Sequence, residues 1–367
     1  MAKKAELLTS YLPKVMLLGV ETPHHRSLNI DSYFQEFRNL VKTNGVAYQE
    51  ELYIKLRSID HANFLTKGKM EEVREFCEKH EIEELIISEP LSGMQQRNLG
   101  DILDVRIFDR THLILEIFDK SAHTAEGKIQ VAIAMLNHQK TRLIGKGLHL
   151  SQQAGAVGLR SGPGETAKEK ETRHINDTTM KYVRQLERMQ KARETQRKER
   201  VNNQVPQICL IGYTNSGKST ILNALTNSNV LAEDKLFATL DTTTRELYIN
   251  GRKKGVISDT VGFIQQLPHL LINAFKSTLS ELDHADLLLQ IIDVSDSNWQ
   301  SHIRVVQEIL NDLKIDKEMV YVFNKIDQAT DIDSAKLDKY QPHVTISALS
   351  KQTLAPLANF LDQWQKK

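Results

Sequence analysis

The sequence predicts an α/β protein in three parts: a small parallel α/β domain (residues 1–110), an antiparallel helical hairpin (111–204) and a second α/β domain with a mostly parallel sheet (205–367). Short apolar runs alternate with helical patterns in the first part. Two amphipathic stretches flank a glycine-rich segment in the second part. Beyond Val205 and Pro206, an apolar run leads directly into a glycine loop and a helical pattern.

The composition is that of an ordinary soluble globular protein, and 367 residues are enough for two or three domains. About 40% of the residues are hydrophobic and 26% are charged, and no apolar run approaches the roughly 20 residues that span a bilayer. The two cysteines, Cys77 and Cys209, are far apart and fit neither a disulfide framework nor a zinc site. We therefore expect a cytoplasmic protein without stable membrane insertion, and peripheral association with a membrane is the alternative.

Strand and helix patterns alternate through the N-terminal part. The 30–43 stretch places Tyr33, Phe37 and Leu40 at helical spacing, which predicts an amphipathic helix. Short strand patterns that alternate with helical patterns in this way predict a small parallel sheet with helices packed on it. The predicted strands are 15–20, 50–56, 84–88 and 104–109, and the predicted helices are 30–43 and 70–80.

The middle part carries the positive charge of the chain. Its formal charge is +8 over residues 137–205, against −4 over 1–136 and −3 over 206–367, so the total of +1 conceals a basic block. Helices are predicted over 111–143 and 165–200, joined by the glycine-rich segment. The basic second helix presents either a solvated face or a contact with nucleic acid or the ribosome. We favour the contact because the segment between the helices is basic as well.

A phosphate-binding loop begins the C-terminal part. The apolar run 207–211 predicts a buried strand, and residues 212–219 then match the pattern G-x-x-x-x-G-K-[ST]. The glycines let backbone N–H groups surround a β-phosphate, and the following helix adds the positive end of its dipole. Lys218 is predicted to contact the β- and γ-phosphates, and the Ser219 hydroxyl to ligate Mg²⁺. The predicted nucleotide contacts in this loop are Gly212, Tyr213, Thr214, Asn215, Ser216, Gly217, Lys218, Ser219 and Thr220.

A second motif predicts that the base is guanine. Asn324, Lys325 and Asp327 form the pattern N-K-x-D after an apolar strand pattern, at the edge where ligands bind in open α/β sheets. The Asp327 carboxylate can accept from the ring N–H and the exocyclic amine of guanine, two donors that adenine does not present there. Lys325 would lay its stem over the base, and Asn324 would join this loop to the phosphate-binding loop. A strand-to-turn segment would offer backbone N–H groups to the guanine oxygen: Ser347, Ala348 and Leu349.

Two further segments predict a nucleotide-dependent switch. Asp259 and Gly262 form the pattern D-x-x-G, in which the Asp holds a water on Mg²⁺ and the Gly N–H contacts the γ-phosphate. A first switch is expected between the phosphate-loop helix and the next strand. Thr239, the favoured residue, or Thr243 would there ligate Mg²⁺ and sense the γ-phosphate. The predicted catalytic residues are Lys218, Asp259, Gly262 and Thr239.

Two positions in this C-terminal part leave alternatives open. Phe263 occupies the position at which small Ras-like GTPases carry a water-orienting Gln. Slow intrinsic hydrolysis is therefore expected, with the water ordered by a partner or by another residue, while Phe263 can equally serve to anchor the loop. Asn215 either ligates a monovalent cation such as K⁺ beside the phosphates or tolerates a tight turn. Together the motifs predict a Ras-like P-loop GTPase domain that binds GTP and GDP with Mg²⁺.

The sequence resembles the HflX-type translational GTPases over nearly its whole length. This resemblance implies a GTP-hydrolysing factor that binds the large ribosomal subunit and its rRNA and that splits or rescues stalled ribosomes. It also implies that the hairpin and the glycine-rich segment reach towards the peptidyl transferase centre, in agreement with the +8 charge. The segments that carry the resemblance are 212–225, 237–241 and 259–282, with 109–111, 113–118, 126–131 and 162–166 in the N-terminal half.

The sequence departs from the pattern of that family mainly outside the nucleotide motifs. Thr242 stands where the family usually has Pro, and Ser121 replaces a usual Arg. Two alternatives to ribosome splitting follow: a regulatory switch GTPase that acts on a protein partner, and a ribosome-associated RNA-remodelling factor. The N-terminal part shows no second phosphate-loop pattern, so the RNA-remodelling alternative with its own nucleotide is the least favoured.

Overall fold

The structure, a computed structural model, describes residues 13–27, 29–144, 167–202, 205–226, 235–237, 242–266, 268, 281–329 and 333–366. The chain divides into two compact units. We call them the N-terminal unit (Met1–Glu116 with Asn137–Asn176) and the C-terminal unit (Ile117–Leu136 with Asp177–Lys367). Three helices contribute residues to both units, and the division into three parts stays a prediction from the sequence.

A four-stranded parallel sheet forms the centre of the N-terminal unit, as predicted. Its strand order is β2-β1-β3-β4, and every neighbouring pair is parallel. One helix, α3, is not among the predicted helices, and it begins with a capping box between Ser92 and Gln95. The strands are β1 (Val15–Glu21), β2 (Glu50–Lys55), β3 (Glu84–Ile87) and β4 (Arg106–Asp109), and the helices are α1 (Ile30–Asn44), α2 (Lys67–His80) and α3 (Gly93–Leu103), with a 3₁₀ turn at Pro23–Ser27.

The single helix predicted over 111–143 is in fact two helices, α4 (Arg110–Ser121) and α5 (Ala125–Ile144). The Thr124 hydroxyl accepts a hydrogen bond from the Gly127 N–H at 3.0 Å, so Thr124 caps a new helix where the apolar pattern suggests continuity. The second predicted helix is observed as α6 (Ala167–Asn202). The glycine-rich segment between α5 and α6, residues 145–166, lies outside the described residues.

A six-stranded sheet forms the centre of the C-terminal unit. Its strand order is β10-β9-β8-β5-β7-β6, and only the pair of β6 with β7 is antiparallel. The predicted fold class, α/β with a mostly parallel C-terminal sheet, is therefore confirmed. The strands are β5 (Gln207–Gly212), β6 (Thr243–Ile249), β7 (Arg252–Asp259), β8 (Leu287–Asp293), β9 (Met319–Asn324) and β10 (His343–Thr345), and the helices are α7 (Lys218–Thr226), α8 (Trp299–Asp312), α9 (Ser334–Leu337) and α10 (Lys351–Gln363).

The six-stranded sheet is covered on both faces, which explains why its central strands are continuous apolar runs. On one face, Ile208 and Leu210 of β5 pack in the cluster that includes Leu357 of α10. On the other face, Cys209 and Ile211 pack in the cluster that includes Val306 of α8. All six residues of β5 are buried, so the alternation of a half-exposed strand is absent from it. Within the described ranges, every helix is too short or too polar to span a bilayer.

A buried ion pair lies at the carboxyl edge of the N-terminal sheet. Arg110, which follows β4, is fully buried, and its guanidinium donates to the Glu36 carboxylate of α1. The guanidinium carbon also lies 4.8 Å from the ring centroid of Tyr33. Tyr33 donates to Glu89 at 2.9 Å, and Glu89 lies 3.4 Å from His25. These contacts tie α1 to the ends of β3 and β4 through charged groups removed from water.

We expect Glu36→Leu to destabilise the protein by about 3 kcal/mol, because it leaves the buried Arg110 charge without its carboxylate. The matched control is Glu72→Leu, which removes an exposed carboxylate 2.6 Å from Lys69 and should cost less than about 1 kcal/mol. Urea unfolding followed by circular dichroism measures both. Equal losses of unfolding free energy in the two variants would show that the buried ion pair contributes no more to stability than the exposed one.

Candidate nucleotide-binding site

The carboxyl ends of the central C-terminal strands bring the predicted motifs to one edge of the sheet. Parallel neighbours β5, β7, β8 and β9 end at Gly212, Asp259, Asp293 and Asn324 respectively. This is the edge at which open α/β sheets bind ligands. The predicted phosphate loop lies between β5 and the first residue of α7, Lys218, as its sequence pattern requires.

The phosphate loop has the backbone of a tight turn. Asn215 and Gly217 have positive φ angles of 59° and 96°. An added Cβ at Gly217 would lie 2.3 Å from the Asn324 side-chain nitrogen, so the base loop approaches too closely for any other residue. Thr214 and Ser216 are buried, whereas Asn215 is exposed at the turn and Thr220 is half-buried in the first turn of α7. The positive φ of Asn215 is the conformation that the turn interpretation requires.

The Lys218 ammonium, which is predicted to contact the phosphates, is buried against the backbone of the phosphate loop. Its Nζ donates to the carbonyl oxygens of Tyr213 at 2.8 Å and Gly212 at 3.2 Å. Burial lowers the pKa of Lys218 to about 8, against an opposing effect of the nearby Asp259 charge. The proton is thus held less tightly than on a free lysine, and a bound phosphate would stabilise the cationic form.

Two oxygen groups meet where Mg²⁺ is expected. The Ser219 hydroxyl donates to the Asp259 carboxylate at 2.5 Å, and Asp259 is fully buried at the end of β7. A hydroxyl and a carboxylate are hard oxygen groups of the kind that Mg²⁺ prefers, together with phosphate oxygens and water. The residues present therefore fit the metal: Ser219 would ligate it directly and Asp259 would hold a water on it.

The D-x-x-G segment lies against the phosphate loop. An added Cβ at Gly262 would lie 2.8 Å from the Thr214 Cα and 3.0 Å from the Lys218 Nζ. The next residue, Phe263, donates its N–H to the Gly212 carbonyl at 3.1 Å, and its own carbonyl accepts from the Thr214 N–H at 2.8 Å. Gly262 consequently lies beside the phosphate loop and the Lys218 ammonium, and any side chain there would collide with the loop.

The aromatic ring of Phe263 is buried away from water. It packs in the apolar cluster of Ile211, Leu288 and Val306, on the face of the sheet covered by α8. An apolar ring in such a cluster has no group with which to orient water, so the structure gives Phe263 the anchoring role. A group other than the Phe263 side chain must therefore orient the water that attacks GTP.

The two threonines proposed for the first switch differ in what the structure describes. Thr239 lies outside the described residues. Thr243 begins β6 and stands opposite Asp259 in the register of β6 with β7. Its backbone thus pairs with that of Asp259, the residue that the sequence assigns to the Mg²⁺ site, which keeps Thr243 as an alternative.

The base loop is built around the buried Asn324 side chain. Its amide nitrogen donates to the Ser216 carbonyl at 2.9 Å, and its amide oxygen accepts from the Ala348 N–H at 3.1 Å. Ser347 is buried, while Leu349 and Asp327 are exposed. The structure therefore brings the N-K-x-D loop, the phosphate loop and the Ser-Ala turn together, and it leaves the Asp327 carboxylate open to a ligand.

Two side chains that the sequence analysis missed hold the predicted site residues. Asp293, at the end of β8, lies 2.6 Å from the Lys325 ammonium and so fixes the lysine predicted to cover the base. His302 of α8 stacks on Tyr213, with ring centroids 3.8 Å apart, and the Tyr213 hydroxyl accepts from the Gln265 N–H at 2.9 Å. Burial lowers the pKa of His302, which favours the neutral ring. An acid that ends a buried strand could have indicated Asp293, whereas nothing in the helical pattern indicated His302.

A phosphate loop and a guanine-type base loop, joined by one amide at the end of a mostly parallel sheet, are the arrangement of a P-loop GTPase. Three family models match the chain. They are described as GTP-binding GTPase N-terminal (residues 31–119), GTP-binding GTPase middle region (121–200) and 50S ribosome-binding GTPase (207–325).

The chain belongs to the HflX family of GTPases, and the resemblance stated from its sequence is confirmed. It is 41% identical to GTPase HflX of Lacrimispora saccharolytica, over 95% of this chain and 82% of the relative. Identity to GTPase HflX of Escherichia coli is 40%, over 82% of this chain and 70% of the relative. A crystal structure of SsGBP with GDP matches with a TM-score of 0.50 and 25% identity, over 95% of this chain and 98% of that chain. The protein is thus a guanine-nucleotide-binding enzyme that hydrolyses GTP, and its C-terminal domain is of the ribosome-binding type.

The affinity for GDP is expected to fall as pH rises through the pKa of Lys218, because phosphate binds the cationic ammonium and the free protein loses that proton near pH 8. We expect a loss of about fourfold between about pH 7 and 8.5, with uptake of up to one proton on binding at the upper value. Calorimetry in two buffers of different ionisation enthalpy measures both quantities. Binding without proton uptake at the upper pH would contradict a depressed Lys218 pKa.

Asp327→Asn is expected to reduce the preference for GTP over ATP by about 100-fold, because a neutral amide cannot accept from both guanine donors. Competition of GTP and ATP for a fluorescent guanine nucleotide measures this preference. The control is Asp338→Asn, which changes an exposed carboxylate that follows α9. An unchanged preference in Asp327→Asn would remove the base-reading assignment.

Proposed function

We propose that this GTPase binds the rRNA of the large ribosomal subunit in the cytoplasm and uses its GTP cycle to split or rescue stalled ribosomes. Membership of the HflX family and the 50S ribosome-binding domain support a ribosomal partner. The observation that carries the rRNA contact is a row of exposed cations along α6.

The basic row follows one face of α6. Lys181, Arg184, Arg188 and Lys191 are all exposed, and their spacing of three, four and three residues places them on the same side of a helix. At 1.5 Å per residue the row extends for about 15 Å, a length that reaches several phosphates of an RNA strand. Glu187 is the acidic residue within this stretch. The charge of the row would make ribosome binding sensitive to salt.

The nucleotide site would convert GTP binding into a change of conformation. In this proposal Ser219 ligates Mg²⁺, Asp259 holds a water on it, and Thr239 or Thr243 completes the site on the side of the γ-phosphate. Gly262 would contact the γ-phosphate through its N–H, so loss of that phosphate releases the D-x-x-G segment. K⁺ at Asn215 is the alternative to a plain turn, and GTPase rates in K⁺ and Na⁺ distinguish the two.

Co-sedimentation with ribosomes tests the proposal. We expect the protein to pellet with ribosomes in the presence of a GTP analogue and less with GDP, with the difference weakening at high salt. Reversing three charges of the row, as in Lys181→Glu/Arg184→Glu/Arg188→Glu, should reduce ribosome affinity at least about tenfold while GTP affinity is retained. Sucrose gradients of intact ribosomes then show whether subunits separate in the GTP state.

The matched control reverses three exposed charges of the C-terminal unit outside α6, as in Arg252→Glu/Lys317→Glu/Lys339→Glu. Its ribosome affinity should stay close to that of the wild type. Equal losses in both triple variants would mean that only net charge matters. No nucleotide-dependent pelleting of the wild type would overturn the ribosomal function and favour a protein partner.

A further inference from the structure

Phe118 of α4 contacts Phe237, which lies in the segment where the first switch is expected. Its ring is fully buried and meets the ring of Phe237 edge to face, with centroids 4.6 Å apart and planes at 73°. Both residues belong to the C-terminal unit. Phe118 nevertheless falls in the stretch matched by the N-terminal family model and Phe237 in the one matched by the ribosome-binding GTPase model. The contact therefore joins these two stretches inside one compact unit.

Phe237 has a backbone conformation that requires support from its surroundings. Its φ angle is +57°, in the left-handed region that a bulky residue adopts only where packing holds it. Its side chain is 2% exposed. An edge-to-face aromatic pair adds stabilisation beyond the area that it buries. The Phe118 ring is thus a specific support for an otherwise unfavourable backbone position.

The location of Phe237 gives this support a consequence for nucleotide binding. Thr239 follows two residues later, and β6 begins at Thr243. A segment with one end already held loses less conformational freedom when it becomes ordered around a ligand. GTP requires that ordering if a threonine of this segment contacts the γ-phosphate, whereas GDP has no γ-phosphate to contact.

We propose that Phe118 is a positioning residue for the first switch, which favours binding of GTP over GDP by holding Phe237. The inference rests on the proposed role of Thr239 or Thr243 at the γ-phosphate. The other end of the helix that carries Phe118 is anchored too, because α4 begins at the buried Arg110.

A double-mutant cycle on the full-length protein tests this pair. Affinities for a non-hydrolysable GTP analogue and for GDP are measured for the wild type, Phe118→Ala, Phe237→Ala and the double variant. We expect each single variant to lose about fivefold in affinity for the GTP analogue and less than about twofold for GDP. The double variant should be no weaker than the weaker single variant, because both changes remove the same contact.

Two further variants separate positioning from general stability. Ile117→Ala removes a side chain of the same helix that is equally buried, so it should lower thermal stability without changing the ratio of the two affinities. Phe118→Leu keeps an apolar side chain against Phe237 and should recover at least half of the lost GTP preference. An equal fall in both affinities, independent losses that add in the double variant, or the same shift in Ile117→Ala would each overturn the proposal.

The threonines distinguish this proposal from the assignment on which it rests. If Thr239→Ala and Thr243→Ala both retain the wild-type preference for the GTP analogue, the switch assignment is wrong and the role of Phe118 fails with it. If one of them loses that preference while Phe118→Ala retains it, only the role of Phe118 is overturned. Ribosome pelleting is a separate measurement and decides the ribosomal function independently.

Discussion

One buried amide, the side chain of Asn324, sets the geometry of the nucleotide site. It donates to the phosphate loop at Ser216 and accepts from the Ser-Ala turn at Ala348, while its own residue begins the base loop. Movement of any one loop would leave a buried polar group unpaired, at a cost of about 1–3 kcal/mol. Gly217 permits the contact because a Cβ there would lie only 2.3 Å from the amide nitrogen. The phosphate and base subsites are therefore held in one relative position.

The D-x-x-G segment, which is predicted to respond to the γ-phosphate, lies beside this nucleotide site. Gly262 lies against the Lys218 ammonium, yet the ring of the adjacent Phe263 is anchored in the core beneath the sheet. A displacement of Gly262 would consequently also have to move Phe263, whose ring is packed in the core. The backbone pairing of Phe263 with Gly212 and Thr214 provides the same restraint. If this segment switches as predicted, such restraint would limit it to discrete arrangements of packed groups.

Motifs of fixed spacing predicted the nucleotide loops, whereas apolar periodicity alone misplaced helix boundaries that local capping groups set. The phosphate-loop pattern lies between β5 and α7 as predicted, because its glycines, lysine and serine follow one strand at fixed spacing. The helix predicted over 111–143 was wrong because its apolar pattern continues across a break that a single hydroxyl, that of Thr124, creates. α3 was missed because its start depends on a capping box and not on apolar periodicity.

By itself, the sequence determined the fold class, the class of enzyme and the family, since strand patterns and nucleotide motifs are properties of short contiguous segments. Only the tertiary structure decided which distant residues support those motifs. Asp293 beside Lys325, His302 on Tyr213 and Phe118 on Phe237 are contacts between elements whose alignment depends on how sheets and helices pack. The physical reason is that packing joins residues through shape and burial, which local spacing along the chain does not record.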